Sequence, residues 1–305
     1  MEKNYSKYIE KFLSKTGVMV PMLTHMEPYY KEDPMIRVVV LDVYGTILIS
    51  ASGDIDESEI STKNLRSALL AADIVIPENL PNEQEILTDM LDSFRNSILH
   101  IHNEEKSPLK PYPEVNILEI WEEIIHDQKS RNHLVLNGEL CIKCFTFVFE
   151  VLSNNIYPMP GMKDVITRLT QREIPLGIIS NAQFYTPVIL NYFMHNKISE
   201  EEVFPFDPDL TIFSYRYKRS KPDALLFDTL KQQCNKKYHI SADQVLFVGN
   251  DMFRDIYPAH KAGFKTALFA GDKRSLRLRE EKPEVNELNA DYILTDLKQL
   301  LKIVT

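Results

Sequence analysis

Asp42 closes the apolar run Val38-Val39-Val40-Leu41 and is followed at once by Val43-Tyr44-Gly45-Thr46. A β-branched run of that kind is built to be buried as a strand, so a carboxylate at its end sits where open parallel sheets bind ligands, beyond the carboxyl ends of the strands. Three later runs end in the same manner. Residues 176–179 lead to Ser180-Asn181, residues 210–213 lead through residues 215–220 into Lys221-Pro222-Asp223, and residues 245–248 lead to Gly249-Asn250-Asp251 with Asp255. Gathered at one sheet edge, these ends supply carboxylates, a hydroxyl and an ammonium. Such a set is costly to assemble unless its charges balance one another or a bound ion. A carboxylate held at such an edge can act as a nucleophile and split a hydrolysis into two easier steps, which makes Asp42 the candidate nucleophile. The Ser180 hydroxyl, the Lys221 ammonium and the backbone N–H groups of residues 43–45 are candidates to meet negative charge that develops there during reaction.

These residues need a scaffold that brings four strand ends together. Five short runs read as strands, over residues 38–41, 176–179, 210–213, 245–248 and 265–269, and helical periodicity lies between the later ones at 162–169, 223–230 and 253–262. Strands alternating with helices predict an α/β fold, a doubly wound parallel sheet covered on both faces. The interval after the first strand is too long for one crossover helix and carries its own helical patterns around 62–71, 83–102, 117–126 and 140–152. It reads as an inserted, mostly helical domain, left through the stiff turn Tyr157-Pro158-Met159-Pro160-Gly161. The expected boundaries are an N-terminal extension at 1–35, the core at 36–55 and 156–305, and the helical cap at 56–155.

The order DxxGT, a strand ending in Ser-Asn, SKPD, and a strand ending in GNDxxxD resembles the haloacid dehalogenase superfamily, over roughly residues 36 to 50 and 157 to 270. The resemblance implies a Rossmann-like core with a cap inserted after the first strand, and Asp42 as a nucleophile that forms a covalent ester with the substrate. It also implies Tyr44 and Thr46 beside that nucleophile, with Ser180, Asn181 and Lys221 completing the catalytic set. Magnesium (Mg2+), which favours oxygen ligands, would then be held by Asp42, the main-chain carbonyl of Tyr44 and the fourth strand end of Asn250, Asp251 and Asp255. Either Asp251 or Asp255 would be its direct ligand there.

Two positions depart from the phosphatase pattern. Tyr44 stands where phosphatases of the superfamily place a second aspartate, and Asn250 stands where an aspartate follows the glycine. A phenol of ordinary pKa near 10 can donate a proton but takes one up poorly at neutral pH. Dehalogenating members share DxYGT, and a halide leaves without a proton. The favoured expectation is a magnesium-dependent phosphatase of a small organic phosphate. Its alternatives are hydrolytic dehalogenation of a small 2-haloacid and a noncatalytic binding protein on the same scaffold. A dehalogenase would also want an arginine from the inserted domain; Arg66 and Arg95 are available, and no motif selects either.

Composition sets the remaining bounds. The chain has 305 residues, 44% of them hydrophobic, and a formal net charge of -9, which opposes any nonspecific grip on nucleic acid or an anionic membrane. The partner expected is a small molecule. No secretory signal is read at the start, and three cysteines do not make a disulfide framework, so a reducing cytoplasm is the expected compartment. Cys141-Ile142-Lys143-Cys144 reads as core packing in an apolar helix, since a solitary pair lacks the other ligands of a metal site. The basic run from Lys273 to Arg279 is expected to be a salt-bridged surface helix, with attraction of an anionic substrate at the site mouth as the alternative.

Overall fold

The computed structural model describes residues 9–14, 16–51, 60–80, 82–200 and 203–304. The chain divides into two compact units, one of Met1–Gly17 with Glu57–Asn155 and the other of Val18–Asp56 with Ile156–Thr305. Ile9 and Leu13 are buried, whereas Tyr29 bridges to Ile293 and Thr24 Oγ1 donates to the Ala270 carbonyl.

In chain order the strands are β1 (Val38–Leu41), β2 (Leu48–Ser50), β3 (Ile74–Val75), β4 (Val135–Leu136), β5 (Ile156–Pro158), β6 (Leu176–Ser180), β7 (Thr211–Phe213), β8 (Val245–Gly249), β9 (Lys265–Phe269) and β10 (Tyr292–Leu294). Six of them form a parallel sheet in the order β10-β9-β8-β1-β6-β7. The strand that comes first in sequence lies inside the sheet, with Leu41 level with Val248 on one side and Ile178 on the other. Val38 and Val40 pack with Leu226, Phe227 and Leu230 of the helix Ala224–Tyr238. Val39 and Leu41, which alternate to the opposite face, are buried as well. Both faces are thus covered, which is why β1 is apolar without alternation.

Past β1 the chain makes a tight turn: Thr46, Ile47 and Leu48 N–H groups all donate to the Val43 carbonyl. β2 then pairs antiparallel with β5. Gly45 lies in the left-handed region at φ 84°, and a Cβ there would come within 2.5 Å of the Ser275 Cβ. After β8 the chain takes a wide π-helical turn, Met252–Ile256, before the helix Tyr257–Ala262.

The other unit is helical, with helices Thr62–Ala71, Glu83–Glu104, Ile117–Ser130 and Ile142–Ser153 and the small hairpin of β3 with β4. Its core is aromatic: Trp121 stacks on Phe94 at 4.5 Å and meets Phe145 and Phe149 edge-on at 5.0 Å each. Cys144 is buried in this unit, as packing predicts, but Cys141 is not part of the core; it caps the helix and is disulfide-bonded to Cys144. Among the described residues, no helix is long and apolar enough to cross a membrane.

Candidate active site

Lys221 occupies the centre of the site. Its Nζ lies 2.6 Å from Asp42 Oδ1 and 2.5 Å from Asp255 Oδ1, and all three side chains are at most 6% exposed. Strand ends set this geometry. Asp42 is fixed by its N–H bond to the Val248 carbonyl across β1 and β8. The backbone N–H of Lys221 is held at 2.7 Å by Asn181 Oδ1, so the asparagine that follows β6 positions the lysine. Asp223 caps the next helix, accepting from Leu225 N–H and pairing with Arg219 at 2.8 Å.

Asp255 reaches back under the end of β8, where its Oδ2 accepts from the N–H groups of Asn250 and Asp251 at 3.0 Å each. Gly249 makes room for it, because a Cβ at that position would lie 2.5 Å from the Asp255 carboxyl carbon. Burial works to lower the Lys221 pKa, but the charges of Asp255 and Asp42 outweigh it and hold the ammonium above its ordinary value. Burial, with the charges of Asp42 and Asp251 adding to it and Lys221 opposing, pushes the Asp255 carboxyl up to about 7. The two directions have different leading causes. Two carboxylate charges raise the lysine against its burial, whereas at Asp255 burial, with the neighbouring carboxylates adding to it, outweighs the single ammonium.

Asp251 faces a different partner. Its Oδ2 accepts from Arg279 Nη2 at 2.7 Å and Nε at 3.0 Å, and its Oδ1 caps the π-helical turn through the N–H groups of Phe253 and Arg254. Asn250 is likewise engaged, with its amide nitrogen donating to the Ser275 carbonyl at 2.5 Å and its amide oxygen accepting from Thr46 Oγ1 at 3.1 Å. The Thr46 hydroxyl has one proton, and Asp42 Oδ2 lies farther from it at 3.4 Å. Gly45 N–H, a candidate donor to substrate, is spent on the Leu48 carbonyl at 2.7 Å. Ser180 is buried and lines the same pocket as Asp42, Tyr44, Asn181 and Lys221.

Tyr44 is held through its hydroxyl, 2.8 Å from Thr186 Oγ1 at the start of the helix Tyr185–His195. Thr186 was not signalled by any motif. Residues 273–279 also differ from expectation, for they are irregular rather than helical. Arg277 N–H donates to the Asn250 carbonyl and its own carbonyl accepts from Met252 N–H, laying the segment alongside the fourth strand end. Ser275 and Leu276 N–H groups close a turn on the Asp272 carbonyl, and Arg279 lies in the left-handed region at φ 55°. Arg254 and Arg277 line the pocket. Arg66 and Arg95 take part in exposed ion pairs with Glu83 and Asp92.

A sequence profile described as haloacid dehalogenase-like hydrolase matches residues 36–263. The chain belongs to this family. It is a hydrolase. Glyceraldehyde 3-phosphate phosphatase of Pyrococcus furiosus is 27% identical over 160 residues, 52% of this chain and 56% of that protein; the match thus spans little more than half of that relative. Among solved structures, this hydrolase is similar to a putative hydrolase of Bacillus subtilis bound to magnesium (18% identity, 87% of this chain and 96% of that one, TM-score 0.45). It is also similar to the L-2-haloacid dehalogenase of Xanthobacter autotrophicus (16% identity, 87% and 96%, TM-score 0.42).

Proposed function

We propose that this hydrolase cleaves a small organic phosphate through a covalent intermediate on Asp42. The observation that carries this is the buried Asp42 carboxylate at the end of β1, with the Lys221 ammonium 2.6 Å away. In the first step an Asp42 oxygen attacks phosphorus, the bond to the leaving oxygen breaks, and an acyl phosphate forms on the side chain. Lys221 stays charged throughout and steadies the negative phosphoryl oxygens. Ser180 faces the same pocket and is assigned a hydrogen bond to one of those oxygens. In the second step water attacks phosphorus, which releases phosphate and restores the carboxylate.

Mg2+ suits the donor set. Among the described residues no group of three His, Cys, Asp or Glu side chains is arranged to hold a metal, but Mg2+ characteristically takes only one or two carboxylates and fills its remaining positions with water and substrate phosphate. Two buried carboxylates, Asp42 and Asp255, face the single Lys221 ammonium, an excess of negative charge that a cation would offset. Asp251, paired with Arg279, is assigned to hold the segment rather than the ion. Asp42, Asp255 and the Tyr44 carbonyl would hold Mg2+, which when bound supplies a Lewis acid for the phosphoryl oxygens.

The leaving oxygen needs a proton, and the Tyr44 phenol, held by Thr186, is the assigned donor. Having given it up, the phenolate is the base that takes a proton from the attacking water in the second step, which returns Tyr44 to its phenol form.

Tyr44 and the uncharged Asn250 also favour a second reading, hydrolytic dehalogenation by the same Asp42. Heavy-oxygen water separates the two. In the phosphatase, water attacks phosphorus and the label leaves in phosphate. In the dehalogenase, water attacks the carboxyl carbon of the ester and the label stays in the Asp42 side chain. Phosphate release from a panel of esters that requires Mg2+ and is abolished in Asp42→Asn supports the first. Halide release that survives a chelator, with label in Asp42, overturns it.

A further inference from the structure

We propose that Cys141 and Cys144 form a reversible thiol–disulfide site that exchanges with low-molecular-weight disulfides. The two residues are three apart in sequence, with Cα atoms 5.3 Å apart and their sulfurs bonded. That Cα separation lies within the ordinary span of a disulfide, so the first helical turn accommodates the bond. Cys141 is the capping residue of the helix Ile142–Ser153, and its Sγ accepts the Cys144 N–H at 3.3 Å.

A sulfur in that position sits at the positive dipole end of a twelve-residue helix and accepts a first-turn N–H group, and this environment stabilises a thiolate. Lys143, two residues on, is a basic residue of the same helical turn. The two sulfurs differ in access: Cys141 is partly exposed, while Cys144 is 4% exposed. Attack from solvent therefore falls on Cys141, and Cys144 is the resolving partner.

The third cysteine provides an internal contrast. Cys234 is 1% exposed, and burial, with the Asp207 charge adding to it, pushes its thiol up to about 11. A buried thiol of that kind is inert. Reactivity in this chain is thus concentrated at one pair.

The exchange balances in two steps. The Cys141 thiolate attacks one sulfur of a small disulfide, forming a mixed disulfide and expelling one thiolate. The Cys144 thiolate then attacks the Cys141 sulfur, closing the protein disulfide and expelling the second thiolate. The protein dithiol is oxidised by two electrons, and the small disulfide is reduced to two thiols.

The test uses the full chain equilibrated in mixtures of reduced and oxidised glutathione, acid-quenched, alkylated and cut after glutamate. Residues 140–150 then carry both cysteines on one peptide. The expected result is a peptide that passes from doubly alkylated to internally bonded as the ratio of oxidised glutathione to the square of reduced glutathione rises. Cys234 should alkylate only after denaturation, at every ratio. In Cys144→Ser, Cys141 should retain one glutathione because nothing resolves it, and Cys141→Ser should retain none. A peptide that stays doubly alkylated under excess oxidised glutathione overturns the proposal, as does a Cys144→Ser protein without the adduct.

Discussion

Two lysines in this protein each bridge a pair of aspartates, and the two clusters behave in opposite ways. Lys221 joins Asp42 and Asp255 with exposures of 5%, 6% and 1%, whereas Lys237 joins Asp207 and Asp209 with exposures of 40%, 8% and 56%. In the outer cluster burial tends to raise Asp207, but hydrogen bonds from Lys237, Tyr238 and the Asp209 backbone overcome it and hold the carboxyl below its ordinary range. In the inner cluster burial prevails, with like charges behind it, and Asp255 rises to about 7. Identical groups in equal number thus serve as a surface clasp in one place and as a reservoir of unbalanced charge in the other. Water around Lys237 and Asp209 makes the difference, because it solvates whatever the lysine leaves unpaired. A buried cluster that retains excess charge marks a candidate site with a physical reason behind it.

The comparison can be broken by mutation. Asp42→Asn should have the largest effect, lowering phosphate release by about 10⁴-fold or more, as removal of a nucleophile does. Its melting temperature should hold or rise, since one of two competing buried carboxylates becomes neutral. A variant that melted far below the parent would refute the claim of excess charge. Next comes Lys221→Met, which strands two buried carboxylates and should cost about 3–5 kcal/mol in denaturant unfolding. The same change at Lys237 should cost about 1 kcal/mol or less, the range of exposed ion pairs. Equal losses at the two lysines would erase the distinction.

The smallest effect lies in pH. Because the folded pKa of Asp207 is depressed, its stabilisation is present above the ordinary carboxyl value of 3.8 and is lost as pH falls through the folded value. Urea unfolding should therefore show Asp207→Asn less stable than the parent at pH 7, with the gap closing as pH falls below 3.8 and through the lowered folded value. A gap that stayed constant would mean that packing, not charge, supports this corner of the molecule.

Much of the scaffold was legible because strand and helix periodicities are local. Val38–Leu41, Lys265–Phe269 and Thr62–Ala71 lie where the apolar patterns predict them. The helix Tyr185–His195 was missed because it is buried nearly all round, so no polar stripe marks its period. β10 is only three residues long, too short for any alternation to show. Residues 273–279 were misjudged from their charge: Arg and Glu in succession resemble a solvated helix, and nothing in their types marks the turn that Ser275 and Leu276 N–H groups make to the Asp272 carbonyl. The cysteine pair was underread because its count excluded a framework of disulfides but not a single local bond.

By itself the sequence determined the residue types that can do chemistry, their position at strand ends and the family to which the chain belongs. Those properties are carried by short segments, and a segment of four to eight residues reports its own burial and its own turn. Which charge meets which was decided only by tertiary structure. Asp255 turning back toward Lys221, Asp251 taken by Arg279, and Tyr44 bonded to Thr186 all join residues from different strand crossings. Electrostatic balance belongs to the assembled set, since the effect of each charge depends on distances and burial that exist only once the sheet has formed.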